Sequence, residues 1–297
     1  MFFSYLKLYI LLNAIFIFIC FLIYYNERKI QQYNLKKTHN LEKIKKLETF
    51  SNEYYSYINN KIPVIIASGI STDTEFMKWN FNYFLNKYGS YTIKIKEKFD
   101  KINGKIPDDI SIEFAEYINN IKNNKEDRYF KSEDNYQFLQ EIGKINNINE
   151  YFKQITPTLS IKKTSFWMGP KESKTPLHYD TDYFNLLCII EGQKEIFIIE
   201  PCYNEYLYLN KENNVYGSIW SNIDIWNIDY IKFPLFKNVK YNKIILNKGE
   251  MLYIPPYWFH AVRNLENTIA FTYHYYTLYS IVTNDIPNFI EFINCNI

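Results

Sequence analysis

Four histidines in 297 residues, His39, His178, His260 and His274, limit where imidazole chemistry can be done. One stands in TPLHYD (residues 175–180), two positions ahead of Asp180. On a strand, residues i and i+2 point to the same face, so His178 and Asp180 can offer an imidazole and a carboxylate to one point. An H-x-D triplet alone is common by chance, so a metal site needs a third ligand from elsewhere. His260 closes KGEMLYIPPYWFH (248–260): a Lys248-Gly249 turn, a strand over MLYI, a break at Pro255-Pro256, and re-entry with His260 at the start of another strand. If the two strands meet in one barrel mouth, two imidazoles and a carboxylate share one face and leave open coordination positions. That arrangement suits non-haem Fe(II). The ligands alone equally allow a catalytic zinc site of His₂Asp type. Lys194, after Gly192 in EGQK (191–194), is a further candidate, because a lysine inside a barrel is costly unless it meets an anion. The competing reading is an ordinary surface lysine in a β-turn.

The elements that must position these groups are short. From residue 160 onward, SIKKTSFWMG, FNLLCII, KEIFIIEP, KIILN, MLYIP, FHAVRNL and TIAFTYHYY are aromatic or β-branched runs broken by Gly, Pro, Asn or Lys. Many short strands at regular intervals are the pattern of a barrel or jelly roll. Before them, IPVIIASG (62–69) reads as a buried strand and TEFMKWNFNYFLNKYG (74–89) as an amphipathic helix with Asp73 as candidate N-cap. YTIKIKEKF (91–99) alternates as a half-buried strand, and SIEFAEYINNIKNN and 134–154 read as mostly helical. Leu41, Ile44, Leu47 and Phe50 recur at helical spacing, so residues 31–54 are expected to form a polar helical stalk in which His39 faces solvent. One mainly β domain with flanking helices, residues 55–285, then holds all the candidate groups, followed by a tail, 286–297.

The uncharged run Leu8–Tyr25 is close to the hydrocarbon thickness of a bilayer if helical, and no small-x-small cleavage site follows it. Residues 1–30 are therefore expected to be a single-pass membrane anchor. Arg28, Lys29, Lys36 and Lys37 behind it, and the lack of any N-x-[ST] sequon, place the domain in the cytosol. Net charge is +2, with 34 basic and 32 acidic side chains, so no electrostatic footprint for DNA is present. The four cysteines have neither zinc-site nor disulfide-framework spacing.

TPLHYD, the following Asn185, EGQK and GEMLYIPPYWFH resemble the JmjC-domain, cupin-like hydroxylases, in particular the small asparaginyl-hydroxylase-type members. IPVIIASG, the helix around Trp79, DRYFKSED, SFWMGPKES and NIDYIKFPLF fall in that family's order, so the resemblance covers roughly residues 55–275. It implies a double-stranded β-helix that uses Fe(II), 2-oxoglutarate and O2. His178, Asp180 and His260 then resemble the iron ligands, and Lys194 the partner of the distal carboxylate of 2-oxoglutarate. Thr175 resembles a hydroxyl donor to that carboxylate, and Tyr129 a second one. Two features depart from the pattern: one extra residue stands between Asp180 and Asn185, and His274 stands where the family often has Asn beside the cosubstrate. Trp167, Tyr183 and Trp258 could keep the cavity dry or be plain core. The resemblance implies hydroxylation of a protein or RNA side group, with N-methyl-lysine demethylation or a non-catalytic cupin-like binding module as alternatives.

Overall fold

The computed structural model describes residues 41–70, 78–96, 109–128, 130–131, 161–180, 184–215 and 218–276, with scattered positions ahead of residue 41. Strands are numbered along the chain. One sheet runs β1 (Lys45–Leu47), β2 (Val64–Ile66), β13 (Met251–Ile254), β8 (Phe184–Glu191), β15 (Thr268–Tyr276), β6 (Ile161–Gly169), β5 (Phe130–Lys131). The other runs β10 (Leu209–Val215), β11 (Ser218–Ser221), β7 (Lys174–Asp180), β14 (Phe259–Asn264), β9 (Gln193–Ile199), β12 (Tyr241–Asn247). From β6 to β9, and again from β12 to β15, each successive strand lies in the opposite sheet. That winding is the jelly-roll arrangement the short strands suggest.

Side-chain alternation sorts the apolar residues into three layers. Leu187, Ile189, Leu252, Ile254 and Ala270 of the first sheet meet Ile196, Ile198 and Leu246 of the second, forming the barrel interior. The opposite face of the first sheet, including Leu186, Cys188, Met251 and Phe271, packs on the helices α1 (Asn52–Asn60), α2 (Phe81–Tyr88) and α3 (Phe114–Lys122). The outer face of the second sheet, with Leu177, Tyr179, Phe197 and Phe259, is covered by the loop region holding Ile223, Ile225, Phe233 and Phe236. β3 (Thr92–Lys96) and β4 (Asp109–Glu113) pair as a separate two-stranded sheet, whose Ile93 and Ile95 join the apolar layer under the first sheet.

Several expectations change. Residues 41–50 hold no helix: bends flank β1, which pairs in parallel with β2, Leu47 opposite Ile66. Ile44 joins the barrel interior while Leu47 joins the helical layer, so residues three apart face opposite ways, as extended chain requires and a helix forbids. The edge of β2 supplies the partner, which no spacing rule in the segment itself reveals. His39 does not simply face solvent: its backbone N–H donates to Glu200 Oε2 at 2.6 Å and its ring lies 5.5 Å from that of Trp258. α2 starts at Phe81, because the side chain of Asn80 accepts the Tyr83 N–H at 2.9 Å and caps the helix there. Trp79 just before it is buried against Phe84 and Phe166. SIE belongs to β4, and only Phe114–Lys122 is helical. Residues 134–154, the tail from 286 and the proposed N-cap Asp73 lie outside the described residues. Among the described residues no helix is long and apolar enough to cross a membrane. The run 8–25 is described only at isolated positions.

Gly192 launches β9 from a left-handed backbone (φ +78°), and a Cβ there would stand 2.4 Å from the Asn267 carbonyl oxygen. Gly192→Ala should therefore destabilise the domain by at least about 1–2 kcal/mol from the backbone conformation alone, with the clash adding to it. Urea unfolding at constant m-value measures this; an unchanged midpoint would contradict the close approach.

Candidate functional site

The inner face of β7 and β14 carries the candidate metal ligands. The two strands are antiparallel and place His260 directly opposite His178, their ring centroids 4.2 Å apart. Asp180 ends β7, and its main-chain oxygen accepts the Tyr257 N–H at 3.1 Å, which pins the PPYW turn beside it. His178 Nε2 lies 3.7 Å from Asp180 Oδ1 and His260 Nε2 lies 3.5 Å from Oδ2. One ligand atom from each of the three falls within 4.8 Å of the others. Among the described residues, this is the group so arranged.

The histidine tautomers follow from their neighbours. His178 Nδ1 is 2.8 Å from the Pro176 carbonyl and His260 Nδ1 is 3.1 Å from the Trp258 carbonyl. A carbonyl only accepts, so Nδ1 carries the proton in each ring and Nε2 keeps its lone pair for the shared point. Trp220 of β11 stacks on His178 at 4.2 Å and 21°, fixing the ring plane. The Asp180 carboxylate accepts from Ser218 Oγ (2.6 Å) on Oδ1 and from Asn185 Nδ2 (3.0 Å) on Oδ2. Burial opposes its charge. The imidazoles of His178, His260 and His274 and the Ser218 bond nevertheless hold its carboxyl well below the usual carboxylate range. Two neutral Nε2 donors and one anionic oxygen, each oriented by a second hydrogen bond, fit a divalent transition metal with positions left open.

A β-bulge brings a second pocket onto the same face. Along β14, His260 to Val262 is two residues, whereas their partners on β7, His178 and Thr175, are three apart. The extra residue falls at Pro176-Leu177, where Pro has no N–H to lose from the ladder. Without it Thr175 and His178 would point to opposite faces. With it, Thr175 lines an open pocket together with Trp167, Ser173, Lys194, Val262 and Asn264. Lys194 is buried and its ammonium donates to Asn264 Oδ1 at 2.7 Å. Burial pushes its pKa down to about 7. The hydroxyl oxygen of Ser173 is buried with no hydrogen-bond partner among the described residues. A desolvated cation and an unsatisfied hydroxyl in one pocket fit an anionic, oxygen-rich ligand end.

Of the other residues singled out by sequence, Asn185 reaches Asp180 despite the extra residue between them. His274 sits opposite Asn185 across β8 and β15, buried and outside the three-ligand group, and is one of the imidazoles that hold the Asp180 carboxyl low. Tyr129 and Tyr183 lie outside the described residues. Trp167 donates through Nε1 to Thr272 Oγ1 at 2.8 Å and lines the pocket, while Trp258 packs in the barrel interior with Nε1 on the Lys61 carbonyl. Sequence reasoning missed Ser173, Ser218, Trp220 and Asn264. Ser173 and Asn264 were recoverable by period-two alternation from Thr175 and His260; Ser218 and Trp220 depend on the β11–β7 register.

A family model described as a cupin-like domain matches residues 50–281. Among curated proteins, lysine-specific demethylase JMJ30 of Arabidopsis thaliana is 27% identical over 232 residues, 76% of this chain and 52% of that protein. Jumonji C domain-containing protein 5 of Drosophila melanogaster is 27% identical over 214 residues, 68% of this chain and 51% of that one. JmjC domain-containing protein D of Dictyostelium discoideum is 43% identical over 104 residues, 35% of this chain and 23% of that one. The chain thus spans about half or less of the length of these relatives.

Removing one oriented bond on Asp180, as in Ser218→Ala, should weaken metal binding roughly 10- to 100-fold, read by Mn(II) titration; an unchanged affinity would show that Ser218 does not orient the ligand. For Lys194 the sign runs with proton uptake. In the pocket without an anion its nitrogen loses its proton as pH rises through about 7, and a bound carboxylate favours the charged form. Dicarboxylate binding at pH 8 should therefore take up close to one proton, and affinity should fall by up to about tenfold per pH unit above neutrality. Calorimetry in buffers of different ionisation enthalpy measures the uptake, and binding without it would contradict the assignment.

Proposed function

Because this chain belongs to the family of cupin-like domains and its relatives carry JmjC domains, we propose that it is an Fe(II)- and 2-oxoglutarate-dependent dioxygenase. The observation that carries this reading is the pairing, on one inner barrel face, of a His178–Asp180–His260 metal site with a buried cationic pocket. A zinc hydrolase would need the first but has no use for the second. When bound, iron would activate O2, the oxidant, and 2-oxoglutarate would supply two of the four electrons it takes: the oxo acid would leave as succinate and CO2 with one oxygen atom, and the other oxygen atom would enter a substrate C–H bond.

The chain's own residues orient and shield. His178 and His260 would offer Nε2 to the metal, and Asp180, oriented by the Ser218 hydroxyl and the Asn185 amide, would offer a carboxylate oxygen. Lys194 and Thr175 receive the distal carboxylate by charge-assisted and hydroxyl hydrogen bonds. Ile196, Ile198 and Leu187 form a dry wall between the sheets, which strengthens these electrostatic contacts. His274 and Asn185 flank the metal side.

The substrate class we favour is a protein or RNA side group that is hydroxylated. N-methyl-lysine demethylation is a second reading, supported by the likeness to a protein named a lysine-specific demethylase. The same C–H oxidation at an N-methyl group would release formaldehyde. A binding module without turnover is the third, and retention of triad, lysine and threonine speaks against it. The uncharged run Leu8–Tyr25 supports a membrane-anchored form with the domain in the cytosol; full-length protein that is released by carbonate extraction would overturn that.

The direct test is succinate formation from 2-oxoglutarate by purified protein with Fe(II), ascorbate and O2. Wild-type protein should form it; His178→Ala, Asp180→Ala and His260→Ala should not, since each leaves a two-point site. His274→Ala should keep its metal. Lys194→Ala should bind 2-oxoglutarate roughly 10- to 100-fold more weakly, about 1.5–3 kcal/mol, with metal affinity intact. Material captured by Asp180→Ala and then treated with wild-type enzyme separates the substrate readings: a gained oxygen atom means hydroxylation and a lost methyl group means demethylation. No succinate from the wild type under any condition would leave the binding-module reading standing.

A further inference from the structure

Among the described residues, Lys194 reaches its pocket without a counter-charge. Its neighbours across the ladder are Leu246 on β12 and Asn264 on β14. Glu195, next along β9, and Arg263, next along β14, point to the outer face and pair there with each other (2.8 Å), with Lys243 also on Glu195 (2.6 Å). Lys174 borders the pocket, but its ammonium lies over the outer-face Trp226 ring, 5.0 Å from the centroid. What holds the Lys194 nitrogen is a neutral amide, Asn264 Oδ1, at 2.7 Å.

That amide has one workable orientation. Asn264 Nδ2 donates to the Pro170 carbonyl at 3.0 Å. A flip would turn the amide oxygen onto that carbonyl and the NH2 onto the ammonium, two repulsions in place of two bonds. The main chain fixes the residue as well, its N–H donating to the Ser173 carbonyl (2.9 Å) and its carbonyl accepting from Glu172 (2.9 Å). Asn264 thus joins the turn before β7, which carries Ser173 and leads to Thr175, to the tip of a four-carbon side chain from β9. An ammonium has three donors; with one on Asn264, two remain for whatever enters the pocket.

We propose that Asn264 is the positioning residue of this pocket: it fixes the Lys194 nitrogen where a ligand carboxylate must meet it. The inference rests on the cosubstrate reading given under Proposed function. An apolar residue here would leave the lysine untethered. An acid would tether it but neutralise it in advance, and would repel an incoming carboxylate.

These two failures are distinguishable with full-length protein loaded with Mn(II), using 2-oxoglutarate as the probe and calorimetry at pH 8. Asn264→Leu should weaken binding by about tenfold, the loss of one such bond, with proton uptake retained. Asn264→Asp should weaken it at least as much, with proton uptake abolished, because Lys194 is then already charged. Mn(II) affinity should be unchanged in both. A role confined to packing would leave the uptake the same in the two variants. If the leucine variant does not fold, the nearly isosteric aspartate variant decides alone. Wild-type affinity and uptake in Asn264→Asp would overturn the proposal. Wild-type protein that takes Mn(II) but no 2-oxoglutarate would overturn the cosubstrate reading and this inference with it.

Discussion

The site depends on one ladder, β7 against β14, and on its bulge. Their pairing sets His260 against His178, and the single extra residue at Pro176-Leu177 turns Thr175 onto the same inner face. The same segment feeds both outcomes: the Pro176 carbonyl takes the Nδ1 proton of His178, and Leu177 drops into the outer core. A one-residue slip of this ladder would send every inward group outward. Two devices oppose the slip. Asp180 holds the PPYW turn through its main chain, and Leu177, Tyr179, Phe259 and Ala261 are locked in the outer apolar layer.

The interior is otherwise apolar, aliphatic side chains with Trp258 among them, which sets the terms for its polar groups. Each buried charge is either matched or left waiting for a ligand. Asp180 is surrounded by three imidazoles and two hydrogen-bond donors and stays ionised. Among the described residues Lys194 has a neutral partner, the Asn264 amide, and burial drives it toward the uncharged state. The contrast polarises the cavity: an electron-rich set of ligands at one end of β7, an anion-seeking nitrogen at the other. A molecule with a chelating head and a carboxylate tail satisfies both ends at once.

Much of this was legible in the sequence because strand parity is a strong rule. H-x-D two apart, MLYI before a double proline, and Gly192 before Lys194 all lie where local pattern predicts. Parity also fails in instructive places. Thr175, three residues from His178, faces inward only because of a bulge that local pattern does not announce; family resemblance supplied it. Ile44 and Leu47 have helical spacing but lie in extended chain, since their environment is an open strand edge more than fifteen residues later. Ser218 and Trp220 touch the site through cross-strand register alone, which a single sequence does not encode locally. Asn80 shortens α2 by acting as a cap, a competing local choice that helical periodicity ignores.

The central claim is that β7 and β14 assemble one metal site and one carboxylate pocket on a shared face. A crystal grown anaerobically with Mn(II) and 2-oxoglutarate, measured at the manganese absorption edge, tests it most directly. The account predicts one anomalous peak within bonding distance of His178 Nε2, Asp180 and His260 Nε2, with the distal carboxylate of 2-oxoglutarate on Lys194 and Thr175. A peak elsewhere, or density for 2-oxoglutarate away from Lys194, would contradict it.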